Sequence, residues 1–68
     1  MAERLANKLK ERRTELGLTQ AQLADRVGVT RKTVNTVENG VFTPSTVLAL
    51  KLAESLGISV EQLFWIED

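Results

Sequence analysis

Apolar residues recur at helical spacing along most of the chain, and glycines separate the resulting segments. Over residues 4–16, the side chains of Leu5, Leu9 and Leu16 fall on one helical face, and Gly17 follows as a stop signal. No stretch shows a convincing alternation of apolar and polar residues, which is the pattern of a half-buried strand. The chain is therefore predicted to be all-α, with a first helix that begins at about Arg4.

Four more helices are predicted from capping residues and stop signals. A Ser or Thr followed three residues later by Gln is typical of a helix N-terminus, and Pro or Gly marks its limits. The fourth helix is expected to run to Gly57, and the short fifth helix is expected to run toward Trp65. The start signals lie, in chain order, at residues 19–22, Thr30, residues 43–45 and residues 59–62.

A very short segment joins the predicted second and third helices. Only Gly28 and Val29 precede the cap of the third helix, so the two helices must cross steeply. Gly28 can adopt the positive φ that this exit requires, and Ala24 is small enough for close contact with Val34. This layout is typical of a helix-turn-helix unit, here at about residues 19–39.

The third helix carries charges at the ends where the helix dipole disfavours them. Arg31 and Lys32 fall in its first turn and Glu38 in its last, while Thr36 shares the outward side with the two cations. A helix that enters the major groove presents its N-terminal residues to base edges, and Arg or Lys donates to guanine O6 and N7. Double-stranded DNA would neutralise these cations, whereas a merely solvated polar face leaves the mismatch unexplained.

Glu38 needs a nearby cation for the same reason. Arg13, close to the core-facing stripe of the first helix, is the best candidate, and Arg12 is the alternative. A partly buried bidentate pair would offset the unfavourable dipole and hold the first helix against the third. Gln20 opens the second helix, where free backbone N–H groups favour a phosphate, although it could also simply fill the first turn.

Composition narrows the range of functions. The formal net charge is zero, but residues 1–34 hold eight basic and four acidic residues, while residues 35–68 hold one and five. This asymmetry favours a polyanion on one face and another partner elsewhere. The sequence has no Cys and no His, so no enzyme activity, metal site or cofactor is expected. A single cytoplasmic domain at 1–68 is predicted, with no membrane segment and no small-molecule ligand evident.

The chain is predicted to form a homodimer through its C-terminal part, about residues 47–68. Leu63 and Phe64 are assigned to the core, which leaves more apolar side chains than a chain this small can bury. For Trp65, a position as a lid over its own core is nearly as reasonable. The side chains assigned to the dimer interface are Val47, Val60, Trp65 and Ile66.

The chain resembles the Cro/phage-repressor (xenobiotic-response-element) family of helix-turn-helix regulators over residues 5–64, in the stretches LTQAQLADRVGVTRKTVNTVENG, TPS and LKLAESLGIS. The resemblance implies a compact five-helix, lambda-repressor-like domain that acts as a dimeric repressor on a two-fold symmetric operator. It also implies a buried pair of Arg13 with Glu38. The DNA-binding roles that it implies are phosphate contacts for Gln20 and Asn39, base reading for Arg31, Lys32 and Thr36, and positions at the backbone or groove edge for Thr30 and Thr33.

The chain departs from that family at two places. Residues 41–43 are Val-Phe-Thr where many relatives resemble Lys-Tyr-Asn, so a cation expected near the DNA backbone is missing. Lys32 stands where a glutamine is common, so the base preference of the family is not carried over. The alternative function is an antitoxin-like protein-interaction module, which would bind a partner protein through the acidic, apolar C-terminal half.

Overall fold

The computed structural model describes residues 3–68, which form five helices and one short two-stranded sheet. The fold class predicted from the pattern is confirmed, because the helices build the core and the strands are a minor addition. The elements in chain order are β1 (Arg4–Asn7), α1 (Leu9–Glu15), α2 (Gln20–Val27), α3 (Arg31–Glu38), α4 (Thr46–Leu56), α5 (Val60–Leu63) and β2 (Phe64–Glu67).

Hydroxyl caps start four of the five helices, as the sequence predicts. Thr19 and Ser59 form complete capping boxes at α2 and α5, while Thr30 and Ser45 accept a backbone N–H at α3 and α4. Gly28 ends α2 with φ of 74°, a left-handed conformation that a residue with a Cβ adopts only with strain. These local signals fix where α2, α3 and α4 begin, and with them the geometry of the helix-turn-helix unit.

The predicted start of the first helix is wrong. Residues Arg4–Asn7 form β1, which pairs antiparallel with β2 so that Arg4 lies opposite Glu67, and α1 begins only at Leu9. The predicted extension of the fifth helix toward Trp65 is also wrong, because α5 ends at Leu63 and the following residues form β2. Phe64 is extended, with φ of −127° and ψ of 143°, and its strand satisfies the backbone groups of β1.

The core lies where all the helices meet beneath the sheet. Its fully buried side chains come from α1 to α5, and Leu5 of β1 packs against them. No helix in the described part of the chain is long and apolar enough to span a membrane. The largest fully buried side chains are Leu9, Leu23, Leu52, Leu56, Leu63, Val34 and Val37.

Candidate nucleic-acid interface

The N-terminal half of α3 presents its polar side chains to solvent. Val34 and Val37 face the core, while Arg31, Lys32 and Asn35 are exposed on the other side of the helix. Both cations stand at the positive end of the helix dipole, and the first turn of α3 has no acidic residue to offset their charge. The result is a cationic, donor-rich surface on the helix that follows the turn.

An open groove of about 340 Å³ runs between the start of α2 and this surface. Its lining consists of Gln20, Arg31, Lys32 and Asn35. Asn35 was not assigned to the site from the sequence, although its spacing of four residues from Arg31 puts both side chains on one face. Its Oδ1 accepts a hydrogen bond from Asn39 Nδ2 at 3.3 Å, which ties the exposed face of α3 to its C-cap.

The threonines of this region already have partners within their own helix. Thr30 Oγ1 accepts the backbone N–H of Thr33 at 3.2 Å and lies 3.1 Å from the Thr33 hydroxyl. The Thr36 hydroxyl donates to the Thr33 carbonyl at 3.0 Å, and its side chain is half-buried. The three hydroxyls are therefore engaged within α3, and Thr30 is the exposed one of the three residues.

Glu38 lies at the centre of a buried network that joins α1, α2 and α3. Arg13 Nε donates to Glu38 Oε2 at 2.6 Å, and Arg13 Nη2 reaches Oε1 at 3.3 Å. The side chains are only 10% and 3% exposed. Arg13 Nη1 also donates to the Leu18 carbonyl at 2.8 Å, so the guanidinium is satisfied on several sides. This pair neutralises the acid at the negative end of α3, as the charge pattern requires.

Gln20 joins the same network from α2. Its Nε2 donates to Glu38 Oε1 at 3.0 Å, a contact that the sequence did not predict. The alternative cation, Arg12, is engaged elsewhere: its Nε donates to the Leu56 carbonyl at 2.9 Å, and Nη1 lies 3.6 Å from Glu15. The side chain of Gln20 is thus oriented by the buried acid beside the groove.

The four residues assigned to a dimer interface lie in different surroundings. Val47 is 62% exposed and Ile66 is 67% exposed, whereas Val60 is half-buried and packs against the core. Trp65 is 39% exposed, and its Nε1 donates to Glu67 Oε2 at 3.0 Å. Because side chains alternate along a strand, Trp65 and Ile66 point to opposite faces of the sheet. One flat contact therefore cannot use both side chains equally.

Glu67 is the only described group whose pKa departs clearly from its ordinary value. The hydrogen bond from Trp65 and the one from Arg4 Nη2, at 2.8 Å, both stabilise the carboxylate and lower its pKa. Within residues 3–68 no cluster of acidic side chains is arranged to hold a metal ion.

Comparison with known proteins shows the family to which the chain belongs. The Helix-turn-helix family model HTH_3 matches residues 9–63, and the chain belongs to this family of Cro/C1-type transcriptional regulators. It is 42% identical over 64 residues to YgzD of Bacillus subtilis (strain 168), an uncharacterised HTH-type transcriptional regulator. The alignment covers 94% of this chain and 97% of that protein. The chain is thus a helix-turn-helix regulator and not an enzyme.

Two solved structures share the fold over most of their length. The restriction-modification controller protein C.AhdI from Aeromonas hydrophila is 45% identical, with a TM-score of 0.77, and 82% of this chain and 81% of that chain are covered. The P22 c2 repressor, in complex with a synthetic operator, is 28% identical with the same TM-score of 0.77. That match covers 79% of this chain and 82% of the repressor.

Proposed function

We propose that this chain is a cytoplasmic, dimeric repressor that reads a two-fold symmetric DNA operator with α3 in the major groove. The observation that carries the proposal is the charge arrangement of α3. Its terminal acid, Glu38, is neutralised inside the protein by Arg13, whereas Arg31 and Lys32 at its start are exposed beside the groove. Arg31 and Lys32 form no ion pair within residues 3–68, and phosphates and guanine edges supply a negative partner for both.

The exposed side chains have distinct roles in this proposal. Arg31 and Lys32 donate to base edges, and the half-buried Thr36 offers its methyl group to the groove. Thr30 and Thr33 lie at the groove edge. Gln20 Nε2 carries two hydrogens, of which one goes to Glu38, so the second is left to donate to a phosphate. Asn39, exposed at the C-cap of α3, contacts a phosphate of the DNA backbone.

A dimer follows from the geometry of DNA in this proposal. Half-sites read from the same side of the duplex lie about 34 Å apart, and a two-fold axis then relates two copies of α3. A self-complementary contact is required between the copies. Val47 and Leu50 of α4, 62% and 54% exposed, supply apolar surface for it, together with Trp65 or Ile66.

Selection of duplexes from a random pool, followed by sequencing, tests the operator directly. We expect a palindromic consensus whose half-sites are one helical turn apart. On that duplex, Arg31→Ala should cost about 1–3 kcal/mol and relax the preference at one base pair. Lys51→Ala is the matched control, because it removes one exposed cation from α4, outside the groove. A pool without consensus, or equal losses for the two variants, would contradict base reading by Arg31.

A further inference from the structure

Asn7 is the residue at which β1, α1 and α3 meet. Its backbone lies in β1 opposite Phe64 of β2. Its Oδ1 accepts the backbone N–H of Leu9, the first residue of α1, at 3.0 Å. Its Nδ2 donates to the Val37 carbonyl, in the last turn of α3, at 3.0 Å. A single half-buried amide thus connects the terminal sheet to the start of one helix and the end of another.

The carbonyls in the last turn of a helix have no partner within that helix, so their partners fix how the helix end is held. At α3 most partners belong to the loop that follows: Asn39 N–H donates to the Asn35 carbonyl, and Gly40 N–H donates to the Val37 carbonyl at 3.1 Å. In the described part of the chain, Asn7 is the residue from outside that segment that donates to a backbone carbonyl of this turn, whereas Arg13 and Gln20 donate to the Glu38 side chain. Among these bonds to the last turn of α3, the one from Asn7 ties it to the terminal sheet, while those to Glu38 tie it to α1 and α2.

We propose that Asn7 is a positioning residue for DNA recognition: it aligns α3 with the terminal sheet, and the affinity for the operator depends on that alignment. The inference rests on the proposed function, because it assigns Asn7 a task in the same DNA contact. Asn7 is half-buried on the face of the sheet that carries the buried Phe64, so its action passes through α3. Without Asn7, α3 would still be held to α1 and α2 through Glu38 but no longer to the sheet, and a small change in its alignment would weaken its base contacts.

Two substitutions separate the bonds of Asn7. Asn7→Asp keeps the size and the acceptor for the Leu9 N–H, but it replaces the donor to the Val37 carbonyl with a carboxylate oxygen. Asn7→Ala removes both bonds and adds no charge that could repel DNA. Ser59→Ala is the control for lost stability, since it removes the cap of α5 and no hydrogen bond of α3.

The variants are compared at a temperature at which thermal unfolding shows each of them to be fully folded. We expect Asn7→Ala to bind the selected operator more weakly, by up to about tenfold if realigning α3 on DNA costs as much as the lost hydrogen bond, and Asn7→Asp at least as weakly. Binding of Asn7→Ala to a scrambled duplex should be unchanged, because phosphate contacts tolerate a small misalignment. Hydrogen exchange of the Gly40 amide should accelerate in both Asn7 variants and stay unchanged in Ser59→Ala.

Each other result overturns a specific statement. Operator binding by Asn7→Ala equal to that of the wild type overturns the inference and leaves the proposed function intact. An equal loss of operator affinity in Ser59→Ala would mean that Asn7 contributes only to the stability of the fold, and it overturns the inference too. A wild-type chain that binds no duplex overturns the proposed function itself, whatever the exchange rate of Gly40.

Discussion

Helices α3 and α4 both bury aliphatic side chains but differ in the side chains that they expose. The helix α3 buries Val34 and Val37 and turns Arg31 and Lys32 to solvent. The longer helix α4 buries three apolar side chains and still exposes Val47 and Leu50. In the proposed function, α3 meets DNA and α4 meets another copy of the chain. The proposal rests on the side chains that packing leaves exposed, which include two cations at the start of α3 and the aliphatic Val47 and Leu50 on α4.

The largest effect is expected when the buried end of α3 loses its acid. Glu38→Ala leaves Arg13 buried without its charge partner and removes the acceptor of Gln20, which should cost about 3–5 kcal/mol of unfolding free energy. The measurement is denaturant unfolding followed by circular dichroism. Arg4→Ala is the control, because it breaks an ion pair whose side chains are 75% and 40% exposed and should change little. Equal midpoints for the two variants would show that the buried network does not hold α3.

The second test addresses the exposed apolar side of α4. Val47→Asp should weaken the dimer by about 2 kcal/mol or more, because a charge would then face the self-complementary contact. The stability of the monomer should be unchanged, since Val47 is exposed. Sedimentation equilibrium gives the dimer constant, and Thr46→Asp adds the same charge one residue earlier as control. Val60→Asp is a poorer probe, because Val60 packs against the core. A wild type that is monomeric at every concentration would refute the dimer.

The third test compares the two turns that flank this pair of helices. Gly28 precedes α3 with φ of 74°, and Gly57 ends α4 with φ of 70°. Replacing either by Ala should cost about 1–2 kcal/mol of stability, because the left-handed conformation crowds a Cβ. Only Gly28→Ala is expected to weaken DNA binding as well. Gly28→Asn should lose less than Gly28→Ala, since Asn tolerates this conformation better. Equal DNA affinities for the two Ala variants at matched stability would remove the distinction between the turns.

The smallest effect is expected at the sheet, where Glu67 is exposed to solvent on the side of Trp65. The pKa of Glu67 is lowered in the folded chain, first by Trp65 and then by Arg4. Its ionised form therefore stabilises the fold above the unfolded pKa, and this contribution disappears as the pH falls through the folded pKa. Glu67→Gln should melt slightly below the wild type at about pH 7 and together with it at about pH 2. Fluorescence of Trp65, the only Trp in the sequence, should report the same titration. A gap that persists at low pH would contradict this role.

The sequence predicts those elements whose signals are local. A capping hydroxyl accepts the backbone N–H of the residue three positions later, so the starts of α2 to α5 could be predicted from Thr19, Thr30, Ser45 and Ser59. The strand β1 could not, because Leu5 and Leu9 have helical spacing and the partner strand lies at the other end of the chain. The run Phe64 to Ile66, rich in aromatic and β-branched side chains, was the available signal for β2.

The candidate site divides in the same way. The exposure of Arg31 and Lys32 follows from their spacing relative to Val34 and Val37 within a single helix. The bond from Gln20 to Glu38 and the one from Asn7 to the Val37 carbonyl cross between elements, and no local pattern encodes them. A carboxylate at the negative end of the helix dipole indicated that Glu38 has a cationic partner. The full set of side chains that converge on Glu38 depends on how the helices pack.

The pairing of β1 with β2 also has a consequence for the order in which the chain folds. Arg4 and Glu67 are 63 positions apart, whereas α2 and α3 are joined by three residues. Closing the longer loop costs more chain entropy, and contacts distant in sequence form late in small helical domains. We therefore expect substitutions where α2 packs against α3 to slow folding, and substitutions in the sheet to speed unfolding instead. The helix α3 would then be formed before β1, the strand that carries Asn7, is in place.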